Sequence, residues 1–349
     1  MAMNTRKLLL PIFAALFGLA TSAFAQTVTT EATVARVTGA ATVTMPDGST
    51  TALTPGMKVP QGATIKTGAD GDVYIESHAG YITSIKKDSE VAVAELSVTT
   101  EGGKVKEEKT LLDLKSGNLV AKLDPTKKAV NNYQVRTPKG VAAARGTVFT
   151  VQYKGGNYSI AVVNGVVTVL PPTNLGVSIL RSDGTNNAGV QVSAGQATFA
   201  DSKGSVGSPS LFQDFANGSD QTGNNFRELL AVAVATVAVA AQNNIGGTTP
   251  AEAAQVAQAI FAAAPGTAEQ AGALIAQSTK GQDNSAVVAA ITAVTPPAAQ
   301  AAFTSGTSTG TFNPNTQTTT TNPSSNNNNG ANQSTAPQPI DPSTVSRSN

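Results

Sequence analysis

The sequence predicts a mainly β protein: a jelly-roll-like antiparallel β sandwich, followed by a small Ala-rich helical region and a disordered tail. Three observations carry that expectation. From Val28 to Val169 short alternating stretches rich in β-branched residues are broken by glycine-containing turns at a spacing of roughly 8 to 12 residues, as in sandwiches. Residues 226–303 are Ala-rich and carry helix-start signals. Beyond Thr304 the chain becomes Thr, Asn, Ser, Pro and Gln, within a span from Asn284 to Ile340 that has no charged residue.

Composition narrows the chemistry first. The 349 residues allow two or three domains, and 40% hydrophobic content supports an ordinary core. Only 13% of residues are charged and the formal net charge is +1, so no overall field draws the chain to nucleic acid, and no nucleic-acid partner is expected. Cysteine is absent, which excludes disulfides, thiolate metal sites and a cysteine nucleophile. His78 is the single histidine; in "ESHAGY" it reads as a solvated residue at a turn or strand edge. The stretches "TGADGDVY" and "SDGTNNAG" cluster oxygen donors but complete neither an EF-hand loop nor a nonapeptide repeat, so they read as turns. No metal and no cofactor is expected.

The elements follow in order. Residues 1–25 read as a secretory signal: Arg6 and Lys7 precede an apolar run from Leu8 to Ala20, and Ala23-Phe24-Ala25 places small residues for cleavage before Gln26. The run is short of the ~20 residues that span a bilayer, so no transmembrane helix is expected in the mature chain, which would be periplasmic, at the cell surface or secreted. Residues 26–203 form the β domain, with strands at "TVARV", "AATVTM", "DVYIES" and "VFTVQY". "NYSIAVVNGVVTVL", residues 157–170, predicts a hairpin turning at Asn164-Gly165, and a second hairpin is expected from "VSIL" and "VQVSA" around residues 181–189. Residues 204–225 read as a Gly, Ser and Asn-rich linker. Helices are expected near 226–242, 250–264, 267–278 and 285–303, the last interrupted at Pro296-Pro297; Thr249-Pro250-Ala251-Glu252 is a capping box with proline at the first helical position. "LLAVAVATVAVAA", residues 229–241, competes between a membrane span, a buried strand and a buried helix, and its Ala content favours the helix. Residues 304–349 cannot bury enough apolar surface to offset ordering and are expected to be disordered.

The stretch "TPKGVAAARGTVFTV", residues 137–151, is the most distinctive. Thr137-Pro138 ends one strand, because proline cannot continue a ladder. In "RGTVFTV", Gly146 suits a close backbone approach, Thr147 can satisfy a neighbouring backbone group, and Phe149 and Val151 share the core face at strand spacing. Arg145 reads either as a buried tether to Asp113 or Asp124, or as an exposed ligand contact. Taken with "LTPGMKVPQGATIKTGADGDVYIES", "KKDSEVAVAEL", "LLDLKSGNLVAKL", Tyr133 and "VVNGVVTVL", the stretch resembles the FecR domain over roughly residues 33–170. The motif positions Gly62, Thr67, Gly68, Gly71, Gly117, Thr137, Pro138, Gly140, Gly146, Thr147, Phe149 and Gly165 read as structural. The resemblance implies an extracytoplasmic, jelly-roll-like module. The family's regulatory branch places an anti-sigma region before a transmembrane helix, whereas here only seven residues precede a cleavable apolar run.

Function is therefore expected to be non-catalytic: binding or scaffolding of an envelope protein or surface polysaccharide. A sensor related to sigma-factor regulation is the alternative. A jelly-roll carbohydrate-active enzyme would need paired carboxylates, for which Asp70, Asp72, Glu76 and Glu95 are available. The candidate partner contacts are Lys122, Lys127, Lys128, Arg136, Lys139 and Arg145, six cations against the single acid Asp124. That stretch reads either as an anion-seeking surface or as charge that keeps a sheet edge from pairing.

Overall fold

The computed structural model describes residues 25–170, 189–200, 206–217 and 221–311. Apart from Ala25, the expected signal lies outside the described residues. So do "VSIL" of the second hairpin and the tail beyond Thr311.

The strands, numbered along the chain, build two sheets on one apolar core. In the first sheet the order is β4 (Thr50–Ala52), β3 (Ala41–Thr44), β6 (Thr64–Thr67), β9 (Glu90–Glu101), the first part of β10 (Lys104–Leu123), β11 (Asn131–Thr137), β12 (Gly140–Ala144), β15 (Val166–Leu170) and β16 (Val190–Ser193). β1 (Gln26–Thr29) pairs with the far end of β9. In the second sheet the order is β5 (Lys58–Pro60), β2 (Glu31–Thr38), β7 (Asp72–His78), β8 (Tyr81–Ile85), the last part of β10, β13 (Val148–Lys154), β14 (Asn157–Asn164), β17 (Gln196–Ala200) and β18 (Ser210–Leu211). The mainly β class holds. The sandwich is not wholly antiparallel, since β10 and β11 run parallel, and the pairings do not establish a jelly-roll order.

One strand serves both sheets. β10 pairs with β9 as far as Ser116 and, from Gly117 onward, with β13. Gly117 makes the crossing possible: its φ is +99°, and a Cβ there would lie 2.1 Å from Ser89 Oγ.

Between the sheets, alternate residues such as Val34, Ile65, Ile75, Val91, Val93, Leu119, Phe149, Val151, Ile160 and Val167 form the core, all fully buried. Phe149 meets Tyr133 edge-on, with ring centroids 6.0 Å apart.

The hairpin expected over 157–170 does not form. β14 and β15 lie in different sheets, and Asn164-Gly165 carries the chain from one to the other. The hairpin is β13–β14 instead, joined by Gly155-Gly156, both at positive φ as a two-residue turn requires. Period and turn residues mark where a strand ends, but not which strand it pairs with.

Helices cover the outer face of the second sheet. They are α1 (Phe212–Ala216), α2 (Gln221–Gln242), α3 (Pro250–Ala263), α4 (Ala268–Ser278), α5 (Ser285–Val294) and α6 (Pro297–Thr309). β14 shows why the sheet needs the cover: Tyr158, Ile160 and Val162 enter the core between the sheets, while Ala161 and Val163 pack with the helices. That accounts for a strand apolar at nearly every position. β18 and α1 occupy part of the expected linker, anchored by buried Phe212. The capping box forms, with Thr249 Oγ1 accepting from the Glu252 amide and Glu252 Oε2 from the Thr249 amide. α6 continues six residues past the expected end at 303, to an αL cap at Gly310. α2 contains a segment, Asn225–Gln242, long and apolar enough to cross a membrane, but most of it is buried as the central helix.

α4 and α6 touch through glycine. A Cβ on Gly306 would lie 2.1 Å from Glu269 O, and one on Gly272 would lie 2.6 Å from Phe303 O. Gly306→Ala is expected to push the two helices apart, costing about 1–3 kcal/mol. Phe149→Ala, by contrast, leaves a cavity in the inter-sheet core and should cost about 3–5 kcal/mol. Chemical denaturation of each variant checks both figures; an unchanged midpoint for either would contradict the packing described.

Candidate functional site

The basic stretch does not assemble into an open cationic face, because distant residues neutralise half of it. Lys122, nearly buried on β10, pairs with Glu252 at 2.9 Å and so ties the sheet to the start of α3. Lys127 pairs with Glu108 at 3.2 Å and lies 5.4 Å from the Tyr81 ring centroid. Arg136 makes a two-pronged bond to Asp113, Nε to Oδ1 and Nη2 to Oδ2. The Asp113 partner is thus Arg136, not Arg145. Arg145 is half-buried, and neither Asp113 nor Asp124 pairs with it among the described residues. Lys128 is exposed and Lys139 half-buried.

A deeper feature lies between the second sheet and the helices: a cleft of about 1020 Å³. Its floor is a cross-strand row on the outward face. Thr38 on β2 is opposite Asp72 on β7; Asp72 bonds Lys86, just beyond β8; Lys86 donates its backbone N–H to Asn118 O on β10; Asn118 is opposite Gln152 on β13; Gln152 is opposite Ser159 on β14. Phe199 on β17, opposite Ser159, ends the row with an aromatic ring. The helices above contribute Leu229 and Val232 of α2 and Leu274 of α4, beside the polar Glu228, Gln277 and Ser278.

Electrostatics at one end are tightly bound. Lys86 Nζ lies 3.0 Å from Asp72 Oδ2 and 5.2 Å from the Tyr74 ring centroid. Burial draws the Lys86 ammonium below the usual lysine range, opposed by the Asp72 charge. Asp72 also accepts from Ser84 Oγ at 2.9 Å. Arg36 stands on the other side of Tyr74, its Nη2 donating to Ser278 O at 2.6 Å, where a cation suits the end of α4. Burial raises the Tyr74 hydroxyl well above the ordinary tyrosine range.

The carboxylates that an enzyme would need are dispersed over separate local tasks. Asp70 accepts from the Ala40 amide and Asp72 holds Lys86, while Glu76 accepts from the Gly80 amide and Glu95 pairs with Lys109 at 2.9 Å. Among the described residues no group of three or more potential metal ligands converges.

Residues 63–168, the segment that supplies most of both sheets and the cleft floor, match the FecR protein family. The chain carries a FecR domain. No curated protein sequence matches the chain. Two solved structures, both of a provisional anti-sigma factor from Parabacteroides distasonis ATCC 8503, show low similarity. One has 10% identity and a TM-score of 0.31, covering 42% of this chain and 59% of that one. The other has 11% identity and a TM-score of 0.26, covering 54% and 60%. The chain thus spans about 60% of the length of these structures.

Within the FecR domain the motif residues shape the backbone. Thr67 donates to Lys86 O at 2.6 Å and accepts from the Ser89 amide, joining β6 to the segment after β8. Gly62 donates to Val93 O, and Gly68 to Ala40 O. A Cβ on Gly71 would reach Ala40 O at 2.4 Å. Thr137 closes its strand by bonding Gly140 O, and Pro138 sits exposed in that turn. Gly146 passes close to the turn at Pro125–Lys127, where a Cβ would lie 2.7 Å from Pro125 Cα. Thr147 Oγ1 donates to Arg145 O at 3.1 Å, while Gly165 holds φ +84° at the inter-sheet crossing.

The cleft residues Arg36, Lys86, Asn118 and Gln152 were not singled out in the sequence. They are the polar members of alternating strands, a pattern that reads as a solvent face, and nothing local announces the helices above them.

His78 differs from its expected solvated state. It is 8% exposed, its Nε2 lies 3.1 Å from Lys109 O, and it meets Tyr81 edge-on. Burial lowers its pKa below the ordinary 6.5. The unfolded chain therefore takes up a proton first, and stability should fall as pH drops through about 6.5, levelling off below the folded pKa. Thermal unfolding of wild type and His78→Gln between about pH 7.5 and pH 5 tests this; equal slopes would refute it.

Proposed function

We propose that the chain is a non-catalytic, exported FecR-domain module that binds an envelope protein or surface glycan. The observation that carries this reading is the cleft. The FecR sheet does not end in a solvated face but in a largely polar floor faced by helices that present both apolar and polar side chains, the mixed lining typical of recognition sites. The dispersal of Asp70, Asp72, Glu76 and Glu95 over separate structural bonds favours binding over glycoside hydrolysis. Extracytoplasmic sensing is the second reading, favoured by the FecR match itself. In a sensor, occupation of the cleft would be the input.

Export and binding are tested together. Fractionation of the producing cells should find the chain outside the cytoplasm, beginning at Gln26 by mass spectrometry. The purified chain should then co-sediment with isolated envelopes of that organism. A chain that remains cytoplasmic, or stays in the supernatant at low and physiological salt alike, would overturn the proposal.

A further inference from the structure

The cleft also constrains what it can hold, and the inference rests on the binding reading above. We propose that it takes a stretch of a linear, hydroxyl-rich and weakly charged oligosaccharide, laid across the strands of the second sheet.

The argument begins with what the floor offers. It is a sheet face, so the backbone hydrogen bonds are spent on neighbouring strands, and an extended peptide, which recognises a sheet through its edge, finds no ladder there. Side chains are offered instead. Thr38, Asp72, Lys86, Asn118, Gln152 and Ser159 stand on six successive strands. With strands about 4.8 Å apart, the row is about 24 Å long, an elongated track rather than a point site.

Its chemistry is matched to hydroxyl groups. Asp72 and Lys86 neutralise one another. The remaining four side chains are amides and hydroxyls, each able both to donate and to accept, as a sugar hydroxyl does. Part of that capacity is unspent within the protein. Among the described residues Asn118 Oδ1 has no hydrogen-bond partner, and Gln152 uses its Oε1 to accept from Ser159 Oγ at 3.4 Å. A buried acceptor left unpaired is costly, so once the Asn118 amide turns to present that oxygen, a ligand hydroxyl gains more there than at a solvated amide.

Charge and the opposite wall exclude other occupants. The cleft is lined by four cations, Arg36, Lys86, Lys87 and Lys154, and by four acids, Asp70, Asp72, Asp88 and Glu228. There is no net field to select a polyanion. An amphipathic helix would need an apolar groove, and this floor is polar. The half-buried Val232 and Leu274 of the helices, with Phe199 at the end of the row, suit the less polar face of a sugar ring, whose hydroxyl edge then meets the polar side chains.

The test uses the full exported chain, an array of immobilised linear neutral oligosaccharides, acidic oligosaccharides and peptides, and the double variant Asn118→Leu with Gln152→Leu. Circular dichroism and thermal unfolding verify that the variant is folded; if it is not, Gln152→Ala alone replaces it. Wild type should bind neutral linear oligosaccharides of about four units or more, the length that follows from the strand spacing. The variant should lose about tenfold or more in affinity. Binding only to acidic oligosaccharides or peptides, no binding on the array, or neutral-sugar binding unchanged in the variant would each overturn the proposal. Co-sedimentation with envelopes separates the two readings: if wild type and variant co-sediment equally while the array is silent, the chain binds the envelope elsewhere and only the cleft assignment falls. If wild type does neither, both fall.

Discussion

The two-sheet architecture depends on the bend in one strand. β10 can leave β9 and join β8 and β13 only because Gly117 adopts a left-handed conformation with its α-carbon against Ser89. Any side chain at that point would meet Ser89 and strain the crossing. With the bend, the core residues on either side of position 117 converge. Leu112 and Leu114 come from one sheet and Leu119 and Ala121 from the other, and all enter the same core. Ser89 secures the crossing by accepting from the Asn118 amide at 3.0 Å.

The second sheet is consequently buried on both faces over much of its area. Its inner face meets the first sheet, and its outer face meets α2 and α3 through Val120, Val148, Ala161 and Val163. Two polar ties reinforce the contact at separate places, Lys122 to Glu252 and Arg36 to the carbonyl of Ser278. The helical core mixes alanine with buried Phe226, Phe261 and Phe303, and α4 and α6 approach to glycine contact. Where the apolar contact gives way to the row from Thr38 to Ser159, the layers separate and the cleft opens. The candidate site is thus a property of the joint between sheet and helices, with a floor mostly from the FecR domain and a helical side from outside it.

Electrostatics follow the same rule of distant partners. A stretch that is locally basic between Lys122 and Arg145 has half of its cations paired, by Glu108, Asp113 and Glu252, the last of them more than a hundred residues away. Burial between Tyr81 and the Lys109 carbonyl lowers the His78 pKa, although its neighbours in sequence are those of a turn. Local charge counts describe which groups are available, and the fold decides which of them remain free.

The sequence by itself determined everything that depends on neighbours along the chain. Alternation marked β2, β3, β7 and β13; the Thr249 to Glu252 box and Pro250 marked the start of α3; Phe149 and Val151 were legible as core because period two places them on one face. The FecR signature was legible for the same reason, being a succession of turns and strand ends. What the tertiary structure alone decided is pairing and cover. Asn164-Gly165 has the residues of a hairpin turn, yet whether β15 folds back on β14 or crosses to the other sheet depends on β12 and β17, which already occupy those edges. Arg36, Lys86, Asn118 and Gln152 alternate as a solvated face would, and become a cleft floor only because helices some seventy or more residues later lie across them. Secondary structure is written in short-range sterics and periodicity, whereas a site built by two layers exists only once long-range burial has brought them together.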